Sequence, residues 1–259
     1  MRVARALAAS ALLLGGCVAA PDREAPALAW AADPFANVEA LPRVDADTPQ
    51  AREINAFLDR MDARDREERA ACLADESPES GQREWGRSVE APMTGPRFIS
   101  LLVTTGYYCG GAHPSWGQKA LTFDLASGRQ VDWAAVFPAE MATPRDDATD
   151  HWPQLLLSRS LKAWYAQTAV AQRGTAIGHD DCADTLAGSE PLNAWPDAKT
   201  GGLALQVIGL AHAATACTER VVMPREEMRR RGVDAVLLDA LDTARRDGLW
   251  RPARPERAR

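Results

Sequence analysis

The chain has 259 residues, 46% of them hydrophobic, and 30 basic against 36 acidic side chains give a formal net charge of −6. That composition can bury one good-sized core or two small ones, and the acidic balance argues against nucleic acid as a partner. No segment after the N-terminal region reaches the roughly 18 unbroken apolar residues that a membrane-spanning helix needs.

Arg2 and Arg5 precede a short apolar run, Ala6 to Leu14, that ends in Leu14-Gly-Gly-Cys17. A charged start, a brief apolar stretch and small residues before a cleavage point make residues 1–16 a secretory signal, too short to cross a bilayer. The end of this run resembles a bacterial lipobox, which implies cleavage before Cys17 and acylation of the new N-terminus. An anchor of more than one acyl chain holds firmly, because each buried methylene contributes about 0.8 kcal/mol. Val18 in place of an aspartate is similar to the sorting signal of lipoproteins on the periplasmic face of the outer membrane. Loss of residues 1–16 removes two arginines and leaves 28 basic against 36 acidic side chains, a formal charge of −8.

Residues 17–47 carry Pro21, Pro26, Pro34 and Pro42 among many alanines and read as a flexible tether, with Trp30 and Phe35 docking late in it. Thr48 can cap the helix that follows, with Pro49 in its first turn. Ile54, Phe57, Leu58 and Met61 recur at helical spacing, and the helix ends near Cys72. The charged run Arg60 to Arg69 reads as a solvated face. Arg83 to Glu90 comes next, then a strand from Arg97 to Thr105, rich in β-branched and aromatic residues and bounded by Gly95-Pro96 and Gly106. Lys119 to Leu125 alternates and stops at Ser127-Gly128, so these two strands form a hairpin with a long loop. Val131 to Phe137 is a short cap, and His151 to Gln172 places Leu155, Leu156, Leu161, Trp164 and Tyr165 on a helix. A loop containing Cys182 leads to strands at Gly202 to Leu210 and Glu219 to Met223. Pro224 opens a short helix, Val233 to Ala244 forms the last one, and residues 247–259 read as a basic, disordered tail. The order predicts one α+β domain over residues 48–246, a mainly antiparallel sheet packed by helices.

With Cys17 used for lipid, Cys72, Cys109, Cys182 and Cys217 remain in an oxidising space and allow three pairings. The favoured pairing is Cys72 with Cys109 and Cys182 with Cys217, because each joins neighbouring elements. Each then closes a loop of about 35 residues, worth about 3 kcal/mol in the chain-entropy treatment.

The stretch Thr104 to Trp116 gathers a cysteine, a histidine, a serine and three aromatic rings. A catalytic Cys109 would need thiolate character and His113 within reach as base. An exported chain with an even set of cysteines offers Cys109 a disulfide partner instead. Zinc would need three or four ligands, and neither His179 with Cys182 nor His212 with Cys217 has the usual ligand spacing. No Gly-x-Ser-x-Gly elbow, phosphate loop or dinucleotide fingerprint occurs. The pairs Asp146-Asp147 and Asp180-Asp181 read as solvated loop carboxylates. The loop is thus a glycine-rich turn displaying Tyr107, Tyr108, His113 and Trp116, large surfaces at low entropic cost for a protein or glycan ligand.

Gly-Tyr-Tyr-Cys-Gly-Gly-Ala-His-Pro at 106–114, Leu-Thr-Phe-Asp-Leu-Ala-Ser-Gly-Arg at 121–129 and the aromatic-containing Val131 to Phe137 resemble the extracytoplasmic domain of the RsiV type. Leu41-Pro and Ile54-Asn55 upstream, and Leu203 to Cys217 with Val221 to Met228 downstream, extend the resemblance over roughly residues 38–230. That domain belongs to lysozyme-sensing anti-sigma factors and accompanies some peptidoglycan deacetylases. The resemblance implies an α+β fold at the cell envelope, lysozyme binding in some members, and no chemistry of the domain itself. Two departures stand out. The lipobox replaces the sigma-binding segment and membrane helix, and His212-Ala-Ala-Thr-Ala-Cys217 replaces the usual aromatic and glycine near the closing strands.

The sequence therefore predicts a noncatalytic envelope lipoprotein without cofactor or metal. Its expected partners are the membrane through the anchor and a cationic protein such as lysozyme, or peptidoglycan; the acidic chain would steer the former. The competing expectation is a peptidoglycan-modifying enzyme using His113 with Cys109 or with a metal.

Overall fold

The computed structural model describes residues 27–74, 82–110, 112–139, 141, 155–156, 159–173, 179–188, 192–210 and 212–251. In chain order these form β1 (Ala27–Ala29), β2 (Arg43–Asp45), α1 (Pro49–Ala74), β3 (Glu84–Thr94), β4 (Phe98–Tyr108), β5 (Ser115–Asp124), β6 (Arg129–Gln130) and α2 (Trp133–Val136). There follow β7 (Leu155–Leu156), α3 (Arg159–Arg173), α4 (His179–Gly188), β8 (Leu192–Asp197), β9 (Gly202–Val207), a 3-10 helix at His212–Cys217, β10 (Val221–Pro224), α5 (Arg225–Arg230) and α6 (Ala235–Arg246). The fold is α+β, as expected, and all its strand ladders are antiparallel.

Two four-stranded sheets, ordered β3-β4-β5-β6 and β10-β9-β8-β7, carry the architecture. Successive side chains on a strand point to opposite faces, and both sheets use both faces. On β4, Ile99, Leu101 and Val103 join Ile54, Leu58 and Met61 of α1, with Val89, Leu121 and Phe123 from the flanking strands. Leu102, one step out of phase, meets Ala120, Trp195 and Ala204 between the two sheets. Leu203, Leu205, Val221 and Met223 face the other way, into a cluster with Leu161, Tyr165, Met228 and Leu241 of the remaining helices. The layers therefore run helix α1, first sheet, second sheet, helices.

The sheets are also hydrogen-bonded through one buried side chain. Beside β5, which β6 covers only at Phe123 and Asp124, Asn193 of β8 accepts from the Ala120 N–H at 3.4 Å and donates to the Gln118 carbonyl at 3.1 Å. Its amide thus satisfies two backbone groups that have no strand neighbour on that side among the described residues, groups that would otherwise be costly to bury. At the far side, buried Tyr165 donates to the Glu219 carbonyl at 2.7 Å and accepts from the Val207 N–H at 3.2 Å. Burial pushes its phenol above the ordinary value, so it serves here as a neutral double hydrogen-bonder.

The turn after β5 touches α1. Gly128 has φ +73°, and a Cβ on it would lie 2.7 Å from the Gln50 Cα, so both backbone conformation and space demand glycine.

Four expectations change. Within the expected tether, residues 27–47 pack on the domain: β1 pairs with β2, the Val44 N–H donates to Asn55 Oδ1 at 2.8 Å, and Val38, Leu41 and Val44 are buried. Apolar residues at 38, 41 and 44 cover the outer edge of β3 and the side of α1, where Arg87 N–H donates to the Asn37 carbonyl and Glu39 N–H to the Arg87 carbonyl. The tail is docked as far as Arg251, which exchanges two backbone hydrogen bonds with Ala91 and lays its guanidinium 3.8 Å from the Trp30 ring centroid. A register shift between Glu90 and Met93 frees Ala91 for that pairing. The Cys182 segment is helix α4, not a loop, and Leu192–Asp197 is a strand that the sequence reading passed over. The helix expected from His151 starts at Arg159. Residues 1–26, including Cys17, and residues 252–259 lie outside the described residues.

Candidate functional site

β4 and β5 form the expected hairpin, in register from Phe98↔Asp124 to Tyr107↔Ser115, with Cys109 to Pro114 as its loop. Cys109 is bonded to Cys72 in the last turn of α1, and Cys182 of α4 to Cys217 of the 3-10 helix, which is the favoured pairing. The first disulfide ties the hairpin tip to the helix end. Gly110, at φ 99°, makes the bend after Cys109 that lets the chain turn back.

The pleat sorts the four candidate contact residues. Tyr107 is opposite Trp85 of β3, on the face that packs on α1; Trp85 itself is buried against Val38 and Cys72. Tyr108 and Trp116 lie on the other face, with Trp116 opposite Gly106. His113 is at the tip, exposed, its Nδ1 3.0 Å from the Pro114 carbonyl. Tyr108 is half-buried, while Tyr107 and Trp116 keep 38% and 42% exposure. The structure thus brings all four to one end of the molecule but divides the aromatic rings between two faces.

Cys109 has no thiol to ionise in this state, so the Cys109–His113 nucleophile is not formed. No group of three or more metal-ligating side chains occurs among the described residues. The side chains of Asp146, Asp147, His179, Asp180, Asp181 and His212 lie outside what is described.

Next to the staple is a feature that the sequence reading missed. Arg87 of β3, 4% exposed, donates through Nη1 to Asp65 at 2.5 Å, through Nη2 to Asp62 at 2.8 Å and through Nε to the Glu39 carbonyl at 2.9 Å. Arg43 of β2 reaches Asp59 and Asp62, each at 2.7 Å. The run expected to be solvated therefore puts its aspartates inward, against the 31–43 segment and β3. A cavity of about 250 Å³ opens there, lined by Phe35, Val38, Leu41 and Trp85 and by the charged groups of α1.

Two solved structures resemble this fold. They are a member of the DUF3298 family from Bacteroides fragilis NCTC 9343 and a DUF3298 family protein from Pseudomonas aeruginosa PAO1. The first has a TM-score of 0.43 at 14% identity over 74% of this chain and 69% of that chain. The second has 0.41 at 13% identity over 74% and 72%. No family model matches the chain, and no curated protein matches it.

Proposed function

We propose that the chain is a noncatalytic lipoprotein of the bacterial envelope, of the RsiV type, that presents its stapled hairpin end to a lysozyme-like muramidase or to peptidoglycan. Acylation of Cys17 would hold it at the periplasmic face of the outer membrane. One observation carries the binding reading. Among the described residues five large apolar side chains are exposed, and three of them, Leu73, Tyr107 and Trp116, belong to α1 and the β4–β5 hairpin, which meet at Cys72–Cys109. Exposed apolar groups gathered at one place mark contact surfaces, whereas scattered ones do not. Leu73 follows Cys72 directly, and Tyr107 pairs with Ser115, the residue before Trp116, at the end of the β4–β5 ladder. The disulfide fixes the strand ends that carry the rings, so little entropy is lost on binding.

The test is capture of lysozymes and soluble muropeptides by the parent chain and by Trp116→Ala and His113→Ala. Both positions are exposed, so both variants should fold. An aromatic anchor at an interface contributes about 2 kcal/mol, so Trp116→Ala is expected to weaken capture by about 30-fold. Capture by both variants equal to the parent's would place the contact surface elsewhere.

A further inference from the structure

The cavity beside the staple carries an inference independent of the hairpin surface. Its charged lining is Arg43, Arg66, Arg69 and Arg87 against Asp62 and Asp65. Arg87 is spent on Asp65 and Asp62, and Arg43 on Asp62 and on Asp59, which lies outside the lining. Arg66 and Arg69, one turn apart on α1, face the same cavity and have no carboxylate partner among the described residues. The balance at the mouth is therefore positive in a chain that is acidic overall.

Arg69 is also posed. Its guanidinium lies 4.1 Å from the Phe35 ring centroid, and its Nε is buried with no hydrogen-bond partner. A guanidinium against a ring keeps its N–H groups in plane and directed outward, the fork that a carboxylate accepts in bidentate fashion. The rest of the wall is apolar, with Val38 at 4%, Leu41 at 2% and Trp85 at 7% exposure and Ala31, Ala32 and Pro34 at the rim. At about 30 Å³ per water-sized group, about 250 Å³ holds one or two small residues.

We infer that this cavity binds the C-terminal carboxylate of a short apolar peptide, with the carboxylate on Arg69 and Arg66 and the small side chains against Phe35, Val38, Leu41 and Trp85. A phosphate or sulfate would use the arginines but not the apolar wall. A neutral apolar ligand would leave the Arg69 Nε unpaired. Only a group with both characters uses the whole lining.

Calorimetric titration of the purified chain with N-acetyl-D-alanyl-D-alanine, its L,L counterpart and the C-terminal amides of both tests this. Saturable binding of at least one free acid is expected, weakened about tenfold or more by amidation and likewise by Arg69→Gln. Arg66→Gln should weaken it less, and Val236→Ser on α6 should leave it unchanged. A preference for the D,D acid assigns the site to cell-wall stem peptides, and equal binding assigns it to peptide C-termini in general. Either supports the carboxylate site. Absence of saturation at about 10 mM, equal binding of acid and amide, or parental binding by a folded Arg69→Gln chain would overturn it. Because none of these readouts involves the hairpin aromatics, the outcome stands apart from that of muramidase capture by the Trp116→Ala and His113→Ala chains.

Discussion

Arg87→Met is expected to lower the unfolding free energy by about 3–5 kcal/mol, the cost of leaving a buried carboxylate without its cation. Asp65 is only 3% exposed, and Arg87 also holds Asp62 and the Glu39 carbonyl. Its loss therefore strands one acceptor on α1 and another on the segment that covers β3. Urea unfolding should show the loss as a lower midpoint at unchanged slope. The double variant Arg87→Met with Asp65→Leu should recover most of it, because replacing a whole buried pair by apolar groups is often neutral. A loss below about 1 kcal/mol for Arg87→Met would mean that the ion network does not hold α1 to β3.

Removing the hairpin staple should separate stability from binding. The two disulfides span nearly equal separations, 37 residues for Cys72–Cys109 and 35 for Cys182–Cys217. Loop-closure entropy then predicts nearly equal destabilisation, about 3–4 kcal/mol, for Cys72→Ser with Cys109→Ser and for Cys182→Ser with Cys217→Ser. Only the first pair holds the strand ends that bear Tyr107, Tyr108 and Trp116. Loss of the first staple should therefore weaken capture of muramidase or muropeptide in the folded protein, while loss of the second should not. Thiol counting of the parent chain under denaturing, nonreducing conditions should find no thiol at Cys109; a stoichiometric one there would restore the nucleophile reading.

The hairpin and its staple were legible because their determinants are local. The β-branched run after Gly95-Pro96 marks β4, which continues through the expected stop at Gly106 to Tyr108, β5 alternates, and pairing Cys109 with Cys72 needs only neighbouring elements and an even cysteine count. The ion network was legible too, but composition hid it. The buried positions of α1 run Ile54, Leu58, Met61, Asp65, Cys72, a helical stripe on which Asp65 takes an apolar residue's place. On β3, Arg87 alternates in phase with buried Trp85 and Val89. Periodicity placed both inward, and only their charge argued otherwise.

β8 was not legible for a different reason. Leu192-Asn-Ala-Trp-Pro-Asp is buried on both faces, so it shows no alternation, and Pro196 argues against a central strand. Among the described residues β7 pairs only Leu192 and Asn193 of β8, and none of them forms a ladder opposite Pro196 on that flank. The cavity at Arg69 was beyond local pattern altogether. It forms between α1 and a segment whose prolines and alanines resemble a tether, and only tertiary packing brings Phe35 under the arginine.

The central claim is that the stapled hairpin end is the contact surface. Hydrogen exchange of the full chain, alone and with lysozyme or soluble muropeptides, tests it most directly. Residues 104–117 and the end of α1 near Cys72 are predicted to gain protection when ligand is present, with α5 and α6 unchanged. Binding accompanied by protection confined to α5 and α6, with the hairpin exchanging as in the free protein, would contradict it.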